Sequence, residues 1–260
     1  MSHRQDLNTL KRRQTDMGDN TEDVPLANLS VEVELARSTK SACYFRDLES
    51  PLIRHIQSAD AVVGCVAWLT SLRVLNALAS KQAASVIVQK EDFLRPDLDP
   101  LPADWKTELH AYYEALSPIR APGHWGAGWL ETRTTEDPVG HGHPLHDVGI
   151  RCIGHRRGTE SAMPRMHHKF FVFLRAKDET DPEVVEGAWP YQPYAVWTGS
   201  YNVTKNGKAS LENALFIEDA TLAEAYCAEW AQLIEVSEQL DWRSEYAAPE
   251  IDYNTGACIS

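Results

Sequence analysis

Five consecutive apolar residues, Phe170 to Leu174, follow directly on the polar run Met166-His167-His168-Lys169. An unbroken apolar stretch of this kind predicts a buried strand. Side chains on a strand alternate between faces, so His167 and Lys169 are expected on one side and His168 on the other. A His and a Lys side by side at the start of a buried strand make a cationic, donor-rich spot that suits a phosphate. The ammonium neutralises charge, and a neutral imidazole, with a reference pKa of about 6.5, can attack phosphorus or shuttle a proton.

A second cluster, Trp197-Thr198-Gly199-Ser200-Tyr201-Asn202-Val203-Thr204, precedes the pair Glu212-Asn213. Ala195 to Trp197 is another short apolar run, and Gly199 allows a tight turn. Ser200 and Asn202 are two apart and so are expected on one face. Glu212 is expected to accept a proton from the far nitrogen of His167, fixing its tautomer and orientation. Singly these pieces are weak signals: an H-x-K tripeptide arises by chance in a chain with ten His, and G-S-x-N is a common turn. Their order, at strand–turn–strand spacing, is what carries weight.

In that order they resemble the phospholipase D superfamily, whose signature is H-x-K-x4-D, then a G-S-x-N turn and a later E-N pair. His167-His168-Lys169 fills the first, Gly199-Ser200-Tyr201-Asn202 the second and Glu212-Asn213 the third. The Met-His-His-Lys-Phe wording is most similar to the single-motif branch, the small bacterial endonucleases and the mitochondrial cardiolipin hydrolase/Zucchini group. One position departs: Leu174 stands where the family has Asp.

The rest of the chain is read from its periodicity. Leu48 to Ser58 has helical spacing, Val62 to Leu69 reads as a buried strand, and Thr70 or Ser71 can cap a helix through Leu72, Leu75 and Leu78. Ala84 to Gln89 is a further strand. This rhythm predicts an α/β fold: a layered mixed β-sheet flanked by helices, phospholipase D-like, in one domain with an insertion. Residues 1–28 read as a disordered or loosely attached arm, 29–241 as the domain with an insertion at 92–147, and 242–260 as a C-terminal tail. The insertion is broken by prolines, then carries a helix from Asp104 to Ser117 and a long Gly-, Pro- and His-rich loop. Its His124, His141, His143 and His146 include an H-x-H-x2-H spacing, but no Cys pair accompanies it, and a loop rim is the better reading. Ala220 to Leu240 is expected as an amphipathic helix.

Charge narrows the function. The net charge of -13 argues against a generally basic nucleic-acid coat. Yet residues 151–177 carry seven Lys or Arg against one acid, Glu160, a local +6 beside -19 on the remainder. A confined basic island suits a phosphodiester held at one place. Arg156, Arg157, Arg165 and Asn213 are candidate substrate contacts, and Trp125 is a candidate base-stacking ring. The five scattered Cys imply no disulfide framework, with Cys65 and Cys152 read as buried thiols, so a cytoplasmic setting is expected. No apolar run suits a secretory signal or a membrane anchor.

The resemblance implies a metal-independent phosphodiesterase with no cofactor. Its catalytic residues would be His167, Lys169, Ser200, Asn202 and Glu212. Displacement at a phosphodiester needs a nucleophile on one side and an acid for the leaving oxygen on the other, and one His cannot occupy both. Single-motif relatives obtain the second by pairing, so a C2 homodimer with a composite site is expected. The substrate expected is nucleic acid. The alternatives are a phospholipase or cardiolipin-type hydrolase and an inactive scaffold of the same fold.

Overall fold

The computed structural model describes residues 11–15, 21–25, 40–45, 47–95, 104–119, 149–155, 164–178, 189–249, 251–252 and 257–258. In chain order the elements are β1 (Lys11–Thr15), β2 (Thr21–Pro25), β3 (Lys40–Phe45), α1 (Glu49–Ser58), β4 (Ala61–Val66), α2 (Leu72–Ala79) and β5 (Ala83–Gln89). There follow α3 (Asp104–Glu114), β6 (Ile150–Ile153), β7 (Lys169–Ala176), β8 (Tyr191–Gly199), α4 (Lys205–Ala209), β9 (Asn213–Glu218), α5 (Ala220–Glu235), β10 (Ile251–Asp252) and β11 (Ala257–Cys258).

Seven strands form the main sheet in the order β3-β9-β8-β7-β4-β5-β6. The β4–β5 and β5–β6 pairs are parallel and the other pairs antiparallel, so the sheet is mixed, as expected. Alternation along β7 explains the layers. Phe171 and Phe173 enter a core built with α1, α2 and α3, through Leu52, Leu75 and Leu109 among others. Phe170, Val172 and Leu174 enter a second core, under Ala223, Cys227, Trp230 and Ile234 of α5. A strand covered on both faces has no polar positions to alternate, which is why its sequence is continuously apolar.

Ser71 caps α2, its hydroxyl accepting from the Val74 amide. Two strands, β1 and β2, lie within the residues read as an arm, and β10 and β11 lie in the C-terminal tail; together they make a small four-stranded sheet. The expected helix from Ala220 to Leu240 stops at Glu235. The segment after it is packed rather than loose: Trp242 is buried, and Lys90, wholly buried, reaches Glu238 at 2.5 Å and the carbonyls of Ser244 and Tyr246 at 3.1 and 2.9 Å. Cys65 and Cys152 are both fully buried. No helix among the described residues is long and apolar enough to cross a membrane.

Candidate active site

Strand direction gathers the motifs. Because β7 runs antiparallel to β4, β8 and β9 to their neighbours, the start of β7, the ends of β4 and β8 and the start of β9 share one edge of the sheet. The register pairs Val66 with Lys169, Phe170 with Thr198, and Gly199 with Ala214. Gln89, at the end of β5, pins the approach to β7: buried, it accepts from the Met166 amide at 2.8 Å and donates to the His155 carbonyl at 2.7 Å.

His167 precedes the start of β7, and it meets Lys169 as expected. Lys169 Nζ lies 3.2 Å from both ring nitrogens of His167 and donates to the His167 carbonyl at 3.1 Å. His168 turns to the other face, where Nε2 lies 3.2 Å from Glu229 of α5. The His167 ring stands edge-on to Trp68 at 5.5 Å between centroids. Partial burial, then the charges of Lys169, Arg165 and His168, push the His167 pKa below its ordinary value. Burial also lowers the Lys169 pKa, opposed by the Glu212 carboxylate.

The G-S-x-N segment is a turn held from two sides. A Cβ on Gly199 would stand 2.2 Å from the Asn213 carbonyl oxygen, so glycine alone permits this approach of β8 to β9. Ser200 donates its amide to the Asn213 carbonyl at 3.0 Å, and its hydroxyl accepts from the Asn213 amide at 3.1 Å. The strand ends at Gly199, so alternation does not govern Ser200 and Asn202 as the sequence suggested. Backbone docking does: the Val203 amide donates to the Trp68 carbonyl, and the Val203 carbonyl accepts from Thr70 and Ser71. Behind the turn, α4 is tied down by Lys208, whose Nζ lies 2.8 Å from the buried Glu49 carboxylate. Glu49 also accepts from the Ser71 hydroxyl at 2.7 Å and from Arg73 at 2.6 Å.

Not every expected contact forms. The ring of His167 bonds Lys169, and Glu212 makes no hydrogen bond to it among the described residues; the acid acts instead on the lysine beside it. The basic island is not one patch. Arg151 is fully buried and donates to Ser237, while Arg175 sits near the far end of β7, a strand spanning roughly 26 Å, and donates to the Ser58 carbonyl. Among the described cations of the stretch, Arg165 and Lys169 lie near His167, with Arg165 over the Trp68 ring at 5.7 Å and 3.7 Å from Glu91. Arg156, Arg157, Trp125, His124, His141, His143 and His146 lie outside the described residues. Leu174 is wholly buried in the α5-side core, about 17 Å along the strand from Lys169.

No family model matches the chain. It is similar to the uncharacterized protein L381 of Acanthamoeba polyphaga mimivirus, at 29% identity over 206 residues that cover 77% of this chain and 67% of the relative. Among solved structures it is similar to NucT from Helicobacter pylori, at 13% identity and a TM-score of 0.44, covering 78% of this chain and 99% of that one. It is also similar to Nuc from Salmonella typhimurium, a phospholipase D family member, at 16% identity and a TM-score of 0.42, covering 80% and 100%. A likeness to the phosphatidylserine synthase of Haemophilus influenzae Rd KW20 has 12% identity and a TM-score of 0.36, covering 79% of this chain and 41% of the synthase. None of these likenesses fixes a substrate.

Three aromatic residues at the site escape a motif search. Trp68, Phe93 and Trp105 line a cavity of about 400 Å³ together with Asn202 and Glu212. Trp68 reads as the continuation of the strand through Leu69, but β4 ends at Val66, which frees its indole to turn toward His167. Glu91 holds that indole, accepting from Nε1 at 3.1 Å. Phe93 and Trp105 belong to the segment read as an insertion, where proline breaks hide their role.

Proposed function

We propose that the chain is a phosphodiesterase of the phospholipase D type, acting on nucleic acid at a site shared by two copies. The observation that carries this is the pairing of a solvent-reaching His167 with Lys169 at 3.2 Å, on the sheet edge where Ser200 and the Glu212-Asn213 pair also arrive. A histidine whose pKa is lowered is neutral near pH 7, and its free electron pair is available to attack phosphorus.

In this reading, a ring nitrogen of His167 attacks phosphorus and a P–N bond forms. The P–O bond to the leaving alcohol breaks as His167 of the partner subunit, the one ring of the coupled pair that enters the step as imidazolium, donates its proton to that oxygen and becomes neutral. Water then attacks the phosphohistidine, its proton passing to the partner imidazole, and the P–N bond breaks to release the phosphate monoester. Lys169, Ser200 and Asn202 hold the non-bridging oxygens, the part a metal plays in other phosphodiesterases. Glu212 sets the charge around Lys169 in the single chain, and its predicted contact with His167 would have to form with substrate or partner in place.

The test is hydrolysis of plasmid, single-stranded DNA, RNA and phosphatidyl liposomes in the presence of chelator. Cleavage of a nucleic acid is expected, and His167→Ala should remove it without changing the circular dichroism spectrum. Headgroup release without nucleic-acid cleavage would replace the substrate assignment. Full activity in the His167→Ala variant would end the catalytic one.

A further inference from the structure

The cavity beside Trp68 is lined by two unlike kinds of side chain. One is aromatic, made by Trp68, Phe93 and Trp105. The other is polar, with Asn202, Asn206 and Glu212. Trp105 is 51% exposed although it is a large ring on a regular helix, and its centroid lies 6.1 Å from that of Phe93 at a tilt of 42°. The core therefore does not claim this ring. Asn202 supplies a second, independent observation: its Oδ1 is buried and has no hydrogen-bond partner among the described residues. A buried acceptor left unpaired is costly, and such a group commonly marks where a missing donor belongs.

Occupants can be weighed by chemistry. An acyl chain would cover the rings but leave Asn202, Asn206 and Glu212 facing hydrocarbon. A second phosphate would be repelled by Glu212 and would have no use for three rings. A nucleobase is flat, stacks on aromatic faces, and carries donors and acceptors on its edge that suit amide and carboxylate groups. The cavity also adjoins His167 through Trp68, which both lines it and stands edge-on to that ring at 5.5 Å.

Resting on the phosphodiesterase reading above, we propose that this cavity is a subsite for one unpaired nucleobase next to the scissile phosphate, stacked on the Phe93 and Trp105 side and hydrogen-bonded on the Asn202 side. Phe93 and Trp105 would then set which nucleotide is presented to His167.

The experiment measures binding to the full chain carrying His167→Ala, so that turnover does not intervene. Two fluorescent single-stranded oligonucleotides of equal length are compared by anisotropy, one with ordinary bases and one abasic at its central positions. The base-bearing strand is expected to bind about 5- to 150-fold more tightly, the range set by stacking of one base. That ratio should collapse toward one in Trp105→Ala and return in Trp105→Phe, a pattern that a misfolded chain would not give. An undiminished ratio in Trp105→Ala, or a ratio of one in the starting chain, overturns the subsite. Cleavage of both strands by the chain with His167 intact separates the two ideas. If both are cut alike and Trp105→Ala changes nothing, the subsite falls and the phosphodiesterase stands. Base-dependent, Trp105-dependent binding without cleavage keeps the subsite and removes the reaction. No binding of either strand removes both.

Discussion

At His167, partial burial and the neighbouring charges of Lys169, Arg165 and His168 all disfavour the imidazolium. If the neutral ring is the nucleophile, kcat/KM rises as pH climbs through its pKa, and that acid limb should fall below about pH 6.5, the ordinary histidine value. The alkaline limb belongs to the partner subunit's imidazole, which must carry a proton for the leaving oxygen, and at higher pH activity falls further as Lys169 loses its charge below its usual range. Two such imidazoles facing each other would titrate as a coupled pair, so the limbs are properties of the site rather than of one ring. Replacing Lys169 with Gln removes one of the cationic causes and should move the His167 midpoint upward in a ring-proton NMR titration; no movement, or a midpoint at or above 6.5 in the parent chain, contradicts the account. Leu174 is instructive in the opposite sense. It is buried among the side chains beneath α5, so here it serves packing.

The element that decides the geometry of the turn is the short helix α4, braced by Glu49 at the start of α1. Burial by itself would raise the Glu49 pKa, but hydrogen bonds from Lys208 and Ser71 and the charges of Lys208 and Arg73 outweigh it and hold the pKa low. A carboxylate with a depressed folded pKa stabilises above its unfolded value and loses that contribution as pH falls through the folded one. Glu49→Ala should therefore cost roughly 1–3 kcal/mol at neutral pH, discounted because Arg73 and Lys208 reach solvent, and much less near pH 3. Denaturant midpoints at the two values check it; an equal loss at both would show that the brace is packing rather than charge. Such a brace is invisible in sequence, since Glu49, Ser71 and Lys208 are far apart in the chain and Lys205–Ala209 is too short to show a period. The strand runs were readable for the opposite reason: a strand buried on both faces, such as β4, β5 or β7, writes its environment as continuous apolar residues. His167 and Lys169 were readable because pairing with the chain after β4 continues just ahead of β7, the Ala67 amide donating to the His168 carbonyl at 2.9 Å, whereas Ser200 and Asn202 lie in a turn beyond the end of β8.

For the whole molecule, the proposed chemistry is a statement about stoichiometry. If each site needs an imidazole from both copies, a dimer with one His167→Ala chain has no working site. Equal amounts of intact and His167→Ala chains, unfolded and refolded together, should then give about a quarter of the activity of the same total of intact chain. A half would mean that each copy works alone. Another whole-molecule property follows from the neighbours Lys90 and Glu91. The lysine grips the segment after α5 through Glu238 and the carbonyls of Ser244 and Tyr246, while the glutamate grips Trp68 beside the imidazole. A single peptide link thus joins the clasp on the segment after α5 to the bracket that steadies Trp68, and, on the proposed reaction, lesions around Trp242 to Tyr246 would surface in a genetic screen as losses of turnover although they border no phosphate.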